Sequence, residues 1–341
     1  MPLTAVGLTD QEQYPPLYAR SRPGSAVFNK PDPGGPEMNA NLDDLATTLY
    51  VTVDDTLKTD PSLAPYRPNG TIEPKLSDAE LVTLAVIQAL LGYHNEAQFI
   101  RYAHTELASM FPHLPGRSGY NKRLRHAQRL LLTVLRLLAQ QCDVWHDNVW
   151  LIDSTPVECA RSRTTVQRSD LAGAAGYGYC ASHSRFFWGF RLHLITTPTG
   201  LPVAFAVASA KDDERLTARD IFEVEPGLLK NRHGQVIIAD KGYKSAEFET
   251  FLNSHGVTLI RPATKGEKKR CGAEFLRPLR QIIESVNQTL KAQLDLERHG
   301  ARKLEGVGAR IAQRLLALTT AIWYNEQHHN PTRRSLTAFD T

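Results

Sequence analysis

Two apolar runs in this chain end in an acid: Val149-Trp-Leu-Ile-Asp153 and Val236-Ile-Ile-Ala-Asp240. Both have the length and composition of buried strands. If the strands are neighbours, both acids fall at one rim of a sheet, where open α/β sheets bind their ligands. Neither Asp has a cation on its own strand, so the expected neutralising partner is a divalent ion. A third acid, Glu284, lies on a predicted helix. At 3.6 residues per turn, Arg277, Arg280, Gln288 and Lys291 fall within about 40° of it, while Leu279, Ile282, Ile283, Val286, Leu290 and Leu294 take the opposite face. One acid inside a stripe of cations fits a surface that follows a phosphate backbone toward a metal. Exposed i,i+4 salt bridges, worth about 0.3–0.5 kcal/mol each, account for Arg280 with Glu284 but not for the excess of cations.

These residue types suit attack on a phosphodiester. That reaction uses two Mg²⁺ (or Mn²⁺) ions about 4 Å apart, one activating the nucleophile and one steadying the leaving oxygen. Mg²⁺ takes hard oxygen ligands and keeps several waters, so two or three carboxylates suffice. Nearby Lys and Arg offset the charge of the transition state and hold the strand in register. No Ser, Cys or Tyr arrangement calls for a protein nucleophile.

The elements needed to position these acids are legible in outline. Residues 1–38 hold seven prolines and four glycines without apolar periodicity and read as a disordered tail. The helical texture begins near Asn41, with Asn39 to Asn41 available as a cap. Ser77-Asp-Ala-Glu80 has the form of a capping box opening a second helix. A short helix over about Asn95 to Leu107 follows, then a longer one from about Tyr120 to Gln140. That last helix starts with Asn121, Lys122, Arg123 and Arg125. Three compact helices with a basic start to the third are similar to a helix-turn-helix unit, and Lys122, Arg123 and Arg125 are its candidate DNA contacts. Strands are expected at Val149–Asp153, Phe186–Ile195, Leu201–Ala208, Val236–Asp240 and Val257–Arg261. Helices are expected over Ser245–Asn253, Arg277–Leu296 and Glu305–Asn325. The expected domains are a tail at 1–38, a helical DNA-binding domain at 39–145, a mixed-sheet α+β or α/β catalytic domain at 146–328 and a tail at 329–341.

Charge supports a polyanionic partner. Net charge is +4, yet from Arg261 onward there are 15 Lys and Arg against 8 Asp and Glu. Gly116 to Arg136 adds six Lys or Arg and no acid. Four scattered cysteines without a C-x-x-C pair argue against a zinc ribbon or a disulfide framework and suit a reduced cytosol. No apolar run reaches membrane-spanning length, and the amino terminus does not read as a secretory signal.

Taken together, the three acids and their neighbours resemble the DDE transposases of bacterial insertion sequences. In that family the first Asp ends a strand, as in Ile152-Asp153-Ser154. The second commonly opens an Asp-Lys-Gly-Tyr turn, here Asp240-Lys241-Gly242-Tyr243. The third belongs to a Tyr-x2-Arg-x3-Glu-x6-Lys signature, matched by Arg280, Glu284 and Lys291, with Arg277 at the Tyr position. The intervals of 87 and 44 residues between the acids leave no room for a large insertion after Asp240. The resemblance, which extends from about Met38 to Asn325, implies a ribonuclease H-like catalytic domain. It further implies catalysis and metal binding by Asp153, Asp240 and Glu284, and DNA contacts by Arg277, Arg280, Lys241 and Lys291. Gly189-Phe-Arg191-Leu-His193 stands where relatives carry Gly-x-Lys-x-His, which makes His193 a candidate contact of the scissile phosphate. Asp213, where relatives show His-Asp, is an alternative metal ligand. The implied partners are double-stranded DNA, as terminal inverted repeats and target, with a homodimer formed on DNA in a bacterial, nucleoid-associated cytoplasm. Two readings stay open beside it: a nuclease that cuts without joining, and a transposase-derived DNA-binding regulator. Met38 is an alternative initiator, which would make residues 1–37 an upstream extension.

Overall fold

The computed structural model describes residues 42–332, apart from 71, 181–183, 269, 271 and 273–275, together with residue 336. The expected amino-terminal tail, the Asn39–Asn41 cap and the Met38 start lie outside these residues, as does nearly all of the carboxyl-terminal tail.

Five helices come first: α1 (Leu42–Thr59), α2 (Asp78–Leu90), α3 (Glu96–Glu106), α4 (Arg117–His126) and α5 (Gln128–Gln141). The capping box forms as its sequence requires: Ser77 Oγ accepts from the Glu80 amide at 3.1 Å, and the Glu80 carboxylate accepts from the Ser77 amide at 2.5 Å. The helix expected over Tyr120–Gln140 is instead two helices, broken at Ala127, where φ −82° and ψ 6° leave the helical region. No Gly or Pro marks that break. Buried Tyr120, Leu124 and Ala127 on one side of it and Leu130, Leu131 and Val134 on the other join one core across the bend.

Strands mixed with helices follow: β1 (Val149–Ala160), α6 (Arg163–Gln167), β2 (Gly176–Cys180), β3 (Arg185–Thr196), β4 (Pro202–Ser209), α7 (Glu214–Val224), β5 (Val236–Ile238), α8 (Ala246–Ser254), β6 (Thr258–Ile260), α9 (Leu276–Ala292) and α10 (Leu304–Gln327). The sheet runs β2-β3-β1-β5-β6, with β4 also on β3. β2 and β4 share one edge of β3, β2 along Arg185–Gly189 and β4 along Phe190–Thr196. β1 is antiparallel to β3 and parallel to β5, and β5 is parallel to β6. This mixed sheet with helices packed on it fits a ribonuclease H-like transposase domain. β1 does not stop at Asp153 as expected but continues seven residues to Ala160, because β3 pairs with it all the way to Trp188. β2 and α7 have no counterpart among the expected elements.

One apolar cluster extends from Leu45 in α1 through the sheet to Tyr324 in α10. α10 is buried almost throughout from Gly306 to Asn325. Its polar side chains tie the amino-terminal helices to it: Gln313 Nε2 donates to the Ala85 carbonyl at 2.8 Å and to Gln88 Oε1 at 3.0 Å. The Arg310 guanidinium pairs with the Glu96 carboxylate. Among the described residues, no helix is long and apolar enough to cross a membrane.

Candidate active site

A period of two places the first two acids. Along β1, Val149, Leu151 and Asp153 share a face; along β5 and just beyond it, Val236, Ile238 and Asp240 do the same. The parallel register pairs Val149 with Val236 and Leu151 with Ile238, so Asp153 and Asp240 are next in line. α9 covers the apolar part of this face: Leu276 and Ile283 pack with Leu151 and Ile238, flanked by Leu279, Ile282, Val149, Val236 and Ile260. The polar residues of α9 therefore overhang the two acids. Leu151, Ile152, Asp153, Ile238, Ala239, Asp240, Leu279, Arg280, Ile283 and Glu284 line one cleft, which brings the three sequence-selected acids to a single site.

Each acid is held differently. Asp153 Oδ2 accepts from Asn287 Nδ2 at 2.9 Å. Burial pushes its carboxyl up to about 7; the Ser154 amide opposes this, Asp240 and Glu214 add to it, and Arg280 lowers it. Asp240 caps the turn Lys241–Tyr243, its Oδ1 accepting from the Gly242 amide at 2.6 Å. Glu284 stands at the lip, 59% exposed, with Arg280 3.4 Å from its Oε1. Among the described residues, no group of three or more His, Cys, Asp or Glu is already closed around a metal position. The donor set nonetheless suits a hard divalent cation: carboxylate oxygens at the rim of a sheet, an Asp whose ionised form lacks a bound cationic side chain, and a buried Asn287 Oδ1 without a hydrogen-bond partner among the described residues.

The raised Asp153 carboxyl has a consequence for stability. The unfolded chain ionises this group near pH 4, whereas the folded chain keeps its proton until about 7. Its contribution is therefore full below about pH 4 and is lost as pH rises through 7. Asp153→Asn does not titrate, so in chelator its melting temperature should gain on the wild type between pH 5 and pH 8. A difference independent of pH contradicts this.

The remaining candidates are distributed as follows. Lys241 is exposed beside Asp240, and Lys291 is half-buried, 3.9 Å from Glu297. Arg277 belongs to α9, but its side chain lies outside the described residues. Lys122 is exposed on α4. Arg123 is turned inward: its guanidinium donates to the Leu76 carbonyl at 2.6 Å and to Asp78 Oδ1 at 2.7 Å, which ties α4 to the start of α2. Arg125 lies 3.7 Å from Glu305. His193 is 0% exposed. It pairs with Ser154, which puts it on the opposite sheet face from Asp153, and burial followed by the charge of Arg191 lowers it to about 3. A neutral, enclosed imidazole on that face does not reach a phosphate in the cleft. Asp213 caps α7 and is bound by Arg215, which first among several hydrogen bonds lowers it to about 2. Asp213 is thus committed to its own helix.

One neighbour of the acids escapes sequence reasoning. Glu214, in the first turn of α7, reaches round the end of β5: its Oε1 accepts from Ser154 Oγ at 2.8 Å and lies 2.9 Å from Arg191. It has no motif to announce it and reads in sequence as an ordinary acid in the first turn of a helix.

The model of the transposase DDE domain family matches residues 145–320, from the approach to β1 to well into α10. The chain belongs to this family of DDE transposases, and membership implies DNA as its partner. No curated protein and no solved structure matches the chain.

Proposed function

We propose that this protein is an active transposase of an insertion sequence, which cuts DNA at the element ends and joins the freed 3′-hydroxyl to target DNA. The observation that carries this reading is the cleft shared by Asp153, Asp240 and Glu284 in a chain of the DDE family. Asp153, Asp240 and Glu284 would hold two Mg²⁺ or Mn²⁺ ions. Such ions, when bound, polarise the scissile phosphate and make water or a 3′-hydroxyl a competent nucleophile at neutral pH.

The chain's own residues supply the rest. Asn287 fixes one oxygen of Asp153, so that the other can face the cleft. The Gly242 amide orients Asp240 in the same way. Arg280 neighbours Glu284 and exchanges that carboxylate for a DNA phosphate when Glu284 turns inward, which holds the strand in line with the acids. Lys241 and Lys291 extend the cationic track on either side. Exposed Arg117, Lys122 and Arg129 on α4 and α5 offer a second cationic surface for the element end. A dimer on DNA would hold two ends together for joining. Incubation of the protein with a labelled element end, a target plasmid and Mg²⁺ tests this reading. Covalent donor–target joints are expected, whereas cut ends without joints identify a nuclease.

A further inference from the structure

Glu214 and Tyr243 play no part in the three-acid scheme, yet both converge on it. The Glu214 carboxylate is pinned on one oxygen by Ser154 Oγ and Arg191, and Arg191 is itself fixed by donating to the Tyr179 carbonyl at 2.7 Å. This leaves Oε2 directed to the Asp240 turn. A methyl group on Gly242 would meet Asp240 Oδ1 at 2.8 Å and Glu214 Oε2 at 3.4 Å, so both carboxylates press on the one residue of the turn that has no side chain. Tyr243 is the last residue of the same turn. It is 0% exposed, its hydroxyl has no hydrogen-bond partner among the described residues, and its phenol lies in the field of Asp153, Glu214 and Asp240. A buried hydroxyl that lacks a partner is unfavourable, and a hydrated ion among these acids would supply one.

We propose that Glu214 is a positioning residue of the metal centre, a fourth carboxylate that, with the Tyr243 hydroxyl, engages the water around a divalent cation held by Asp153 and Asp240. The inference rests on the metal-dependent reading of the cleft. Arg191 offsets the charge of Glu214, so the carboxylate works as a hydrogen-bond acceptor and not as a further direct ligand. Mg²⁺ and Mn²⁺ keep several waters, and acceptors around those waters fix their orientation. Ser154 faces the opposite side of β1 from Asp153, so Glu214, held there by its hydroxyl, approaches the acids at the Gly242 turn that follows β5. Gly242 is then required because any larger residue would part Asp240 from Glu214.

The test is Mn²⁺ binding to the full chain without DNA, followed by the electron paramagnetic resonance of free Mn²⁺. The isosteric Glu214→Gln should weaken binding by about 10- to 100-fold, the scale of losing an outer partner of a metal site, measured on protein whose circular dichroism shows it folded. Ser154→Ala, which frees the carboxylate without removing it, should cause a smaller loss in the same direction. Wild-type affinity in Glu214→Gln, with binding lost in Asp240→Asn, overturns the role of Glu214 and leaves the metal centre standing. Wild-type affinity in Asp153→Asn and Asp240→Asn as well overturns the centre itself. If Glu214→Gln does not fold, Ser154→Ala decides: unchanged affinity there also overturns the proposal.

Discussion

Asp153→Asn and Asp240→Asn should each lower metal-dependent cleavage of an element end by at least about 10³-fold, the upper end of what removing one group that stabilises developing charge costs. DNA binding should be retained. Both substitutions keep the size and hydrogen-bonding shape of the side chain: at 153 the amide oxygen can still accept from Asn287, and at 240 it can still accept from the Gly242 amide. What disappears is the negative charge. The cations expected to touch DNA, Arg280, Lys241 and Lys291, are untouched, so a gel-shift titration should give affinities close to wild type. Glu284→Gln should follow the same pattern, because the cleft offers no substitute on α9. Asp213 cannot take its place while it caps α7 and binds Arg215. Residual cleavage in the Glu284 variant would direct attention to Glu214 instead.

The second large effect is on stability. Glu96→Ala should destabilise the protein by about 3–5 kcal/mol, the usual cost of removing one partner from a buried ion pair. Arg310 is 7% exposed on α10 and faces Glu96 on α3, while its other contact, Gln313 Oε1 at 2.9 Å, is neutral. Without Glu96 the guanidinium stays buried with no counter-charge, and Asn121 on α4 loses both of its carboxylate acceptors. Urea unfolding followed by circular dichroism checks this. A midpoint equal to that of the wild type would show that the helices and α10 are not coupled through this pair. The pair ties α3 to α10 alongside the apolar cluster that extends from α1 to α10.

The first two acids were legible because strand alternation and buried apolar runs are local properties. Val149 and Leu151 mark the face of Asp153 by alternation alone, and Val236 and Ile238 do the same for Asp240. α9 was legible for a related reason, since its apolar residues at helical spacing find the small cluster around Leu151 and Ile238. Its acid therefore falls beside theirs. The features that escaped depend on tertiary approach. The bend at Ala127 lies in a strong helix former and is imposed by packing. β2 reads Gly-Tyr-Gly-Tyr-Cys, an unpromising strand, and its glycines are needed because a Cβ at Gly176 would meet Ser209 Oγ at 2.5 Å and one at Gly178 would meet the Ala210 carbonyl at 2.7 Å. Glu214 escaped because its partners, Ser154 and Arg191, are 60 and 23 residues away in sequence. His193 misled in the opposite sense: the motif around it matched relatives, but its register partner Ser154 assigns it to the far face of the sheet.

Iron-directed cleavage of the protein backbone tests the central claim most directly. Fe²⁺ replaces Mg²⁺ at hard-oxygen sites, and with ascorbate and peroxide it generates radicals that cut the chain next to its ligands. Fragments ending near residues 153, 240 and 284, suppressed by excess Mg²⁺ and absent from Asp153→Asn, are the predicted result. Cuts confined to other parts of the chain, or cuts at these positions that persist in Asp153→Asn, would contradict the account.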